Sequence, residues 1–245
     1  MKKPQYFITL IFCFFAVSKV TIATDSYYMT LMSYEPSEGV RRPTKDGVFT
    51  HTFATFARAQ DKKVLEIKTI SWGPCQPNKI RVFPPVDLLL GCNKNLRQSL
   101  DKLSGFARPM RAVAWGPIQI SAELYELAVT QYSQLRQLSD FQKGIVTESA
   151  YEYAGVDWTE RRRGLAKNCH HMVQDILQST QGLVNPKDTS YGISAGKITL
   201  NLFRDYFITS SSDQIDRHSW VWDQIKVIEL GNKNYPVLKF FEVLR

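Results

Sequence analysis

The stretch Lys167-Asn168-Cys169-His170-His171-Met172-Val173-Gln174-Asp175-Ile176-Leu177 places a cysteine at the head of an apolar stripe. Met172, Val173, Ile176 and Leu177 recur at i, i+1, i+4 and i+5, which predicts a helix with one buried face. Asn168 is a strong N-cap residue, so Cys169 falls in the first helical turn. Backbone amides at that end, and the positive end of the helix dipole, favour a thiolate and lower the pKa from an ordinary value of about 8.5. Arg161, Arg162, Arg163 and Lys167 lie just upstream and act in the same direction wherever the fold brings them close.

An activated thiol needs a base, and the chain has His51, His170, His171 and His218. His170 and His171 follow the cysteine directly. Neighbouring helix positions point about 100° apart, so neither readily turns its ring to the sulfur. A zinc site is not expected either, because adjacent residues do not easily ligate one ion and no CxxC or HxxxH spacing occurs. His218, in DRHSWVW, follows the cysteine as in an ordinary papain-like enzyme and stays as an alternative base. His51 has the better setting. Gly47 to Ala57 (GVFTHTFATFA) is rich in aromatic and β-branched residues and reads as a strand, with His51 on the face of Phe49 and Phe53. The next strand, Val64 to Trp72, puts Leu65, Ile67, Thr69 and Ser71 on one face and Glu66 and Lys68 on the other. Thr69 is the hydroxyl expected to orient His51, which makes Cys169, His51 and Thr69 the candidate catalytic set.

The chain around these residues has 245 positions, is 44% hydrophobic and 22% charged, and carries a net charge of +8. These values suit one sizeable domain or two small ones and exclude a disordered, collagenous or multi-span membrane protein. No groove-reading motif or dense basic stripe accompanies the charge, so nucleic acid is not an expected partner. Lys2 and Lys3 precede an apolar run, Phe7 to Val17, too short to span a bilayer but suited to a secretory signal with cleavage near Ala23, Ala16 with Ser18 offering a second site. Losing residues 1–23 removes three lysines and leaves +5. Phe12 is too bulky for the residue before a lipidated Cys13. Cys75, Cys92 and Cys169 then remain in a disulfide-permissive compartment. Cys75 and Cys92 bracket a Pro-rich segment and suit a local staple, which leaves Cys169 as the thiol.

Taken together, these residues resemble a family. NCHHMV is similar to the asparagine-cysteine-x-histidine helix start of the circularly permuted, NlpC-type papain-like superfamily. That superfamily includes the lecithin retinol acyltransferase group and many exported bacterial proteins, and in it a strand histidine precedes the cysteine. HTFATF (His51 to Phe56), ISW (Ile70 to Trp72), WGP (Trp115 to Pro117) and NCHH follow the block order of an exported bacterial branch, over Val48 to Leu177. Lys68 departs from the pattern where relatives often carry a second histidine or other polar group. The resemblance implies acyl transfer. Cys169 attacks a carbonyl with His51 as base, and the substrate is a peptide or other acyl-bearing molecule, with cell-wall peptide first. Lipid acyl transfer or thioester hydrolysis is the second expectation, and a noncatalytic binding module on the same fold the third. No cofactor is expected, and no pattern sets the oligomeric state.

The remaining segments read as scaffold. Ser121 caps a helix with Leu124, Leu127, Ala128, Tyr132 and Leu135 on one face. Pro36 to Asp46 reads as an exposed loop, Ile193 to Phe207 as an amphipathic stretch, and Trp220 to Ile228 and Val237 to Val243 as late strands. The expected organisation is a signal peptide at 1–23 and a single domain at 24–245. Its class is α+β: a permuted papain-like core, with an antiparallel sheet packed on the cysteine-bearing helix and a helical insertion between them.

Overall fold

Two of the expected strands form β2 (His51–Gln60) and β3 (Lys63–Ile70). Asp61 and Lys62 join them at φ of 49° and 60°, the left-handed pair that a tight hairpin requires. β1 (Ser26–Pro36) pairs with the other side of β2, and β6 (Met110–Ile120) lies beyond it. These pairings are all antiparallel, whereas β9 (Leu238–Phe241) adds parallel to β6 and completes the order β3-β2-β1-β6-β9. A smaller sheet, in the order β4-β5-β7-β8, contains β4 (Trp72–Pro74), β5 (Leu88–Asn93), β7 (Val146–Glu148) and β8 (Ala166–Lys167). The computed structural model describes residues 24–37, 50–74, 88–104, 109–137, 146–148, 166–167, 169–177, 192–208, 214–231 and 238–241.

Helices cover both faces of the large sheet. Met29, Leu31, Ala54, Phe56 and Trp115 pack against α2 (Ala122–Gln137), α3 (Cys169–Gln174) and α4 (Gly192–Leu202). Met32, Tyr34, Phe53, Ala57 and Ala114 pack against α1 (Leu96–Ser104) and α5 (Gln214–Ile225). The α5 helix runs on through a π-helical turn, Lys226–Leu230, to Gly231. Both kinds of β2 side chain are therefore buried, which explains its nearly continuous apolar sequence.

The chain is thus a mixed fold with an antiparallel sheet and several helices, as the α+β expectation has it. Ser121 caps α2 by accepting the Leu124 amide at 3.3 Å, and Leu124, Ala128 and Leu135 are buried. The expected strand at Trp220 to Ile228 is instead helix α5 and its π turn: His218, Val221, Trp222 and Ile225 form one buried helical face. Val237 to Val243 does contain a strand, β9. Residues 1–23, most of the 36–46 loop, Phe49, Cys75, Arg161 to Arg163 and Asn168 lie outside the described residues. Among the described residues, no helix is long and apolar enough to cross a membrane.

Candidate active site

The apolar stripe after Cys169 forms the predicted short helix. Met172 and Val173 in α3, and Ile176 and Leu177 in the 3-10 turn Asp175–Leu177 that follows, are all buried. Burial of such side chains contributes about 1.5–3 kcal/mol each, enough to anchor a helix of under two turns. Gln174 adds a buried hydrogen bond from Nε2 to Thr199 Oγ1 of α4 at 3.1 Å. The helix is therefore fixed from two sides, with half-buried Cys169 at its start. Cys169 keeps its thiol, while Cys92 on β5 is disulfide-bonded.

The sulfur meets the sheet where strand pairing stops. Ala54 is the first β2 residue paired with β3, opposite Ile70. Two positions before it, Thr52 N–H donates to Cys169 Sγ at 3.3 Å. Covalent geometry then places that sulfur within roughly 6 Å of the Cα of His51, the residue preceding Thr52. The Thr52 side chain is locked as well, with Oγ1 2.9 Å from Ser33 Oγ and donating to the Gly192 carbonyl at 3.3 Å. Gly192 begins α4, whose Ile193 amide donates to buried Glu35 at 2.9 Å, and Arg111 pairs with that carboxylate.

His51 is buried beside Tyr34, its partner across β1, at 5.4 Å between ring centroids, and stacks on Phe53 at 5.3 Å. Burial, with the neighbouring Cys169 charge adding to it, pushes the Tyr34 hydroxyl far above the usual tyrosine range, so it keeps its proton. His51 Nε2 lies 2.8 Å from Ser71 Oγ, a fully buried hydroxyl. Ser71 Oγ is 2.6 Å from Ser99 Oγ on α1. The Ser71 backbone is held too: its amide donates to Asn93 Oδ1 at 2.7 Å, and its carbonyl accepts from Lys94 at 2.9 Å. Asn93 Nδ2 in turn donates to the Thr69 carbonyl at 2.8 Å, so one carboxamide stands in for a strand along the outer edge of β3.

No protein-family model, curated protein or solved structure matches this chain.

Cys169 and His51 are thus brought to one place, and Thr69 is not. Its hydroxyl lies 3.1 Å from Thr55 Oγ1, and the hydroxyl that reaches His51 is that of Ser71. Thr69 sits opposite Thr55 in the β2–β3 register, four residues along β2 from His51 and on the order of 13 Å away. His218 is on α5 against Tyr28, with ring centroids 5.1 Å apart. Tyr28 is six residues along β1 from Tyr34, roughly 20 Å, which separates His218 from the thiol. His170 and His171 are buried in α3, their rings 4.3 Å apart. Lys68 points to the other side of β3, where Nζ bonds Glu66 at 2.9 Å and lies 5.0 Å from the Tyr132 ring centroid.

A cavity of about 320 Å³ opens beyond the β3 edge, lined in part by Ile67, Thr69, Trp72, Asn93, Tyr132 and Arg136. Thr69 and Asn93 line it, and Asn93 also accepts from the Ser71 amide.

Proposed function

We propose that this chain is an exported thiol hydrolase, an amidase or peptidase that works through a cysteine acyl-enzyme on peptide substrates such as those of a cell wall. The observation that carries this reading is the backbone bond from Thr52 to Cys169 Sγ, which brings the thiol to the residue next to His51, whose Nε2 lies 2.8 Å from Ser71 Oγ. The antiparallel sheet with a cysteine at the head of a packed helix fits a permuted papain-like core, in which the histidine strand precedes the cysteine helix. The N-terminal apolar run supports export, and the Cys75–Cys92 pairing belongs to the same proposal.

With Nε2 engaged, the nitrogen of His51 that takes the proton is Nδ1. Cys169 Sγ attacks the carbonyl carbon as its proton passes to Nδ1, and the oxyanion is held by the Cys169 amide. Tyr34 keeps its proton beside the His51 ring. Collapse breaks the carbon–nitrogen bond, the proton on His51 goes to the leaving amine, and a thioester remains on Cys169. Water then attacks, His51 accepts its proton, and the acid leaves as the thiol is restored.

The test is incubation of the purified chain, without residues 1–23, with cell-wall peptide fragments, reading new amines and carboxyls by mass spectrometry. Release that stops in Cys169→Ala supports the reading. Turnover of lipid esters or thioesters but not peptides moves the protein to the acyltransferase or thioesterase class. Binding without turnover leaves a noncatalytic module.

A further inference from the structure

β3 ends the five-stranded sheet, and a carboxamide from another element closes each end of its outer edge. At one end Asn93 accepts the Ser71 amide at 2.7 Å and donates to the Thr69 carbonyl at 2.8 Å. At the hairpin end Gln224 of α5 does the same: Oε1 accepts the Val64 amide at 2.8 Å, and Nε2 donates to the Lys62 carbonyl at 2.7 Å. Each side chain takes an N–H and a C=O that a neighbouring strand would take. Between them the edge is open. Backbone groups alternate in direction along a paired strand, so Ile67 turns its N–H and C=O to the side on which Asn93 meets Thr69, away from β2. Among the described residues, nothing pairs with them.

The space beside this stretch has a wall on each face. The cavity of about 320 Å³ is bounded by Ile67 and Thr69, by Tyr132 and Arg136 of α2, and by Gln98 of α1 with Glu229 of the π-helical turn. α2 belongs to one helical layer, and α1 and the π turn to the other. The two layers face each other only past the edge of the sheet, so the cavity prolongs the sheet plane outward between them. It also continues the line of β5. That strand pairs with β4, and its neighbour Lys94 still donates to the Ser71 carbonyl at 2.9 Å, but at Asn95 the chain turns off into α1. The next strand position beside β3 is therefore shaped for a strand that the turn into α1 does not supply.

We propose that this edge binds an extended peptide, which adds to β3 as a further strand through main-chain bonds to Ile67 and to the Thr69 amide. Such a strand runs about 4.8 Å from β3, inside the cavity. The charged residues of the lining are Lys94 and Arg136 against Glu229, a net positive wall that favours a peptide with an acidic side chain. Thr69 is on the order of 13 Å from His51, so the site goes beyond the thiol chemistry and stands whether or not Cys169 cleaves what binds.

The probe is acetyl-Val-Thr-Glu-Thr-Val-amide, titrated into the full chain carrying Cys169→Ala so that the thiol cannot act on it. Nitrogen-15 NMR is expected to show saturable shifts at the Ile67 and Thr69 amides, with hydrogen exchange at both slowed about tenfold or more. The same peptide N-methylated at its three central residues loses its main-chain donors and binds at least about tenfold more weakly. Lysine in place of the glutamate weakens binding several-fold. Ile67→Pro removes one outward donor and leaves the bonds from β3 to β2 in place, a change that edge strands tolerate, and it weakens the peptide about tenfold.

Equal binding of the methylated peptide, or no saturable shift at these amides up to millimolar peptide, overturns the proposal. Shifts of the same amides with protein concentration alone also overturn it, since a second copy of the chain is then the occupant. Should Ile67→Pro not fold, the pair of plain and methylated peptides on the unaltered edge decides alone.

Discussion

His51 and His218 are both buried histidines beside a tyrosine of β1, and only their position along that strand separates them. The first faces the tyrosine at the thiol end and the second a tyrosine roughly 20 Å away. His51→Ala is therefore expected to slow Cys169 alkylation near neutral pH and to lower peptide hydrolysis by on the order of 10²-fold or more. His218→Ala leaves the alkylation rate nearly unchanged in protein that still unfolds cooperatively; suppression by His218→Ala alone would overturn the assignment. That Cys169 and His51 belong to a helix start and a buried strand was legible in the sequence because each sits in a local pattern, an apolar stripe behind Cys169 and an aromatic strand around His51. The partner hydroxyl was not. Thr69 and Ser71 share a strand face, and period two cannot choose between them. The register with Ala54 opposite Ile70 makes the choice, since it carries Ser71 toward Phe53 and hence His51, and leaves Thr69 at Thr55. Register is set by a hairpin turn and two buried faces, neither of which the strand's own residues contain.

At the level of elements, α1 was readable from Asn95-Leu96-Arg97-Gln98, a capping-box spacing followed by buried Leu96 and Leu100. The box would also have pointed to Ser99, one turn beyond the cap. Asn95→Ala is expected to cost about 1 kcal/mol of stability, measured by urea unfolding. Trp220 to Ile228 misled because tryptophan, valine and isoleucine favour strands in isolation, while the spacing of His218, Val221, Trp222 and Ile225 fits a helix lying on the sheet. α4 shows packing overriding propensity in the other direction. Gly196 sits inside that helix, where alanine would ordinarily stabilise by about 1 kcal/mol. A Cβ there, however, would lie 2.2 Å from Ser33 Oγ and 2.6 Å from the Trp115 ring, both buried in the sheet. Overpacking of this kind costs about 1–3 kcal/mol and outweighs the propensity gain. Gly196→Ala is thus expected to lower the urea midpoint, and a raised midpoint would show that α4 can lift off β1 without loss.

Across the whole molecule, the sheet is enclosed by two helical layers, and a tyrosine hydroxyl is buried against each. Tyr34 lies in the cluster with α1 and α5, and Tyr125 in the cluster with α2, α3 and α4. Burial drives both hydroxyls well above the ordinary tyrosine range; the Cys169 charge adds to the effect at Tyr34, and the bond that Tyr125 donates to Glu66 at 2.8 Å adds to it at Tyr125. In the unfolded chain these groups titrate near about 10. Their contribution to stability is fully present below that pH. As pH rises through it, the unfolded state loses protons that the folded state retains, and stability falls by about 1.4 kcal/mol per pH unit for each such group. Urea unfolding as a function of pH should therefore show this decline setting in near about pH 10 and continuing above it. Lysines titrate in the same range, so the decisive quantity is a difference between variants. Tyr34→Phe and Tyr125→Phe should each make the decline shallower by about one proton, and together by about two, whatever each costs at neutral pH. An unchanged slope in the double variant would mean that both hydroxyls ionise in the folded protein as readily as in the unfolded chain, and that the two layers do not exclude water from them.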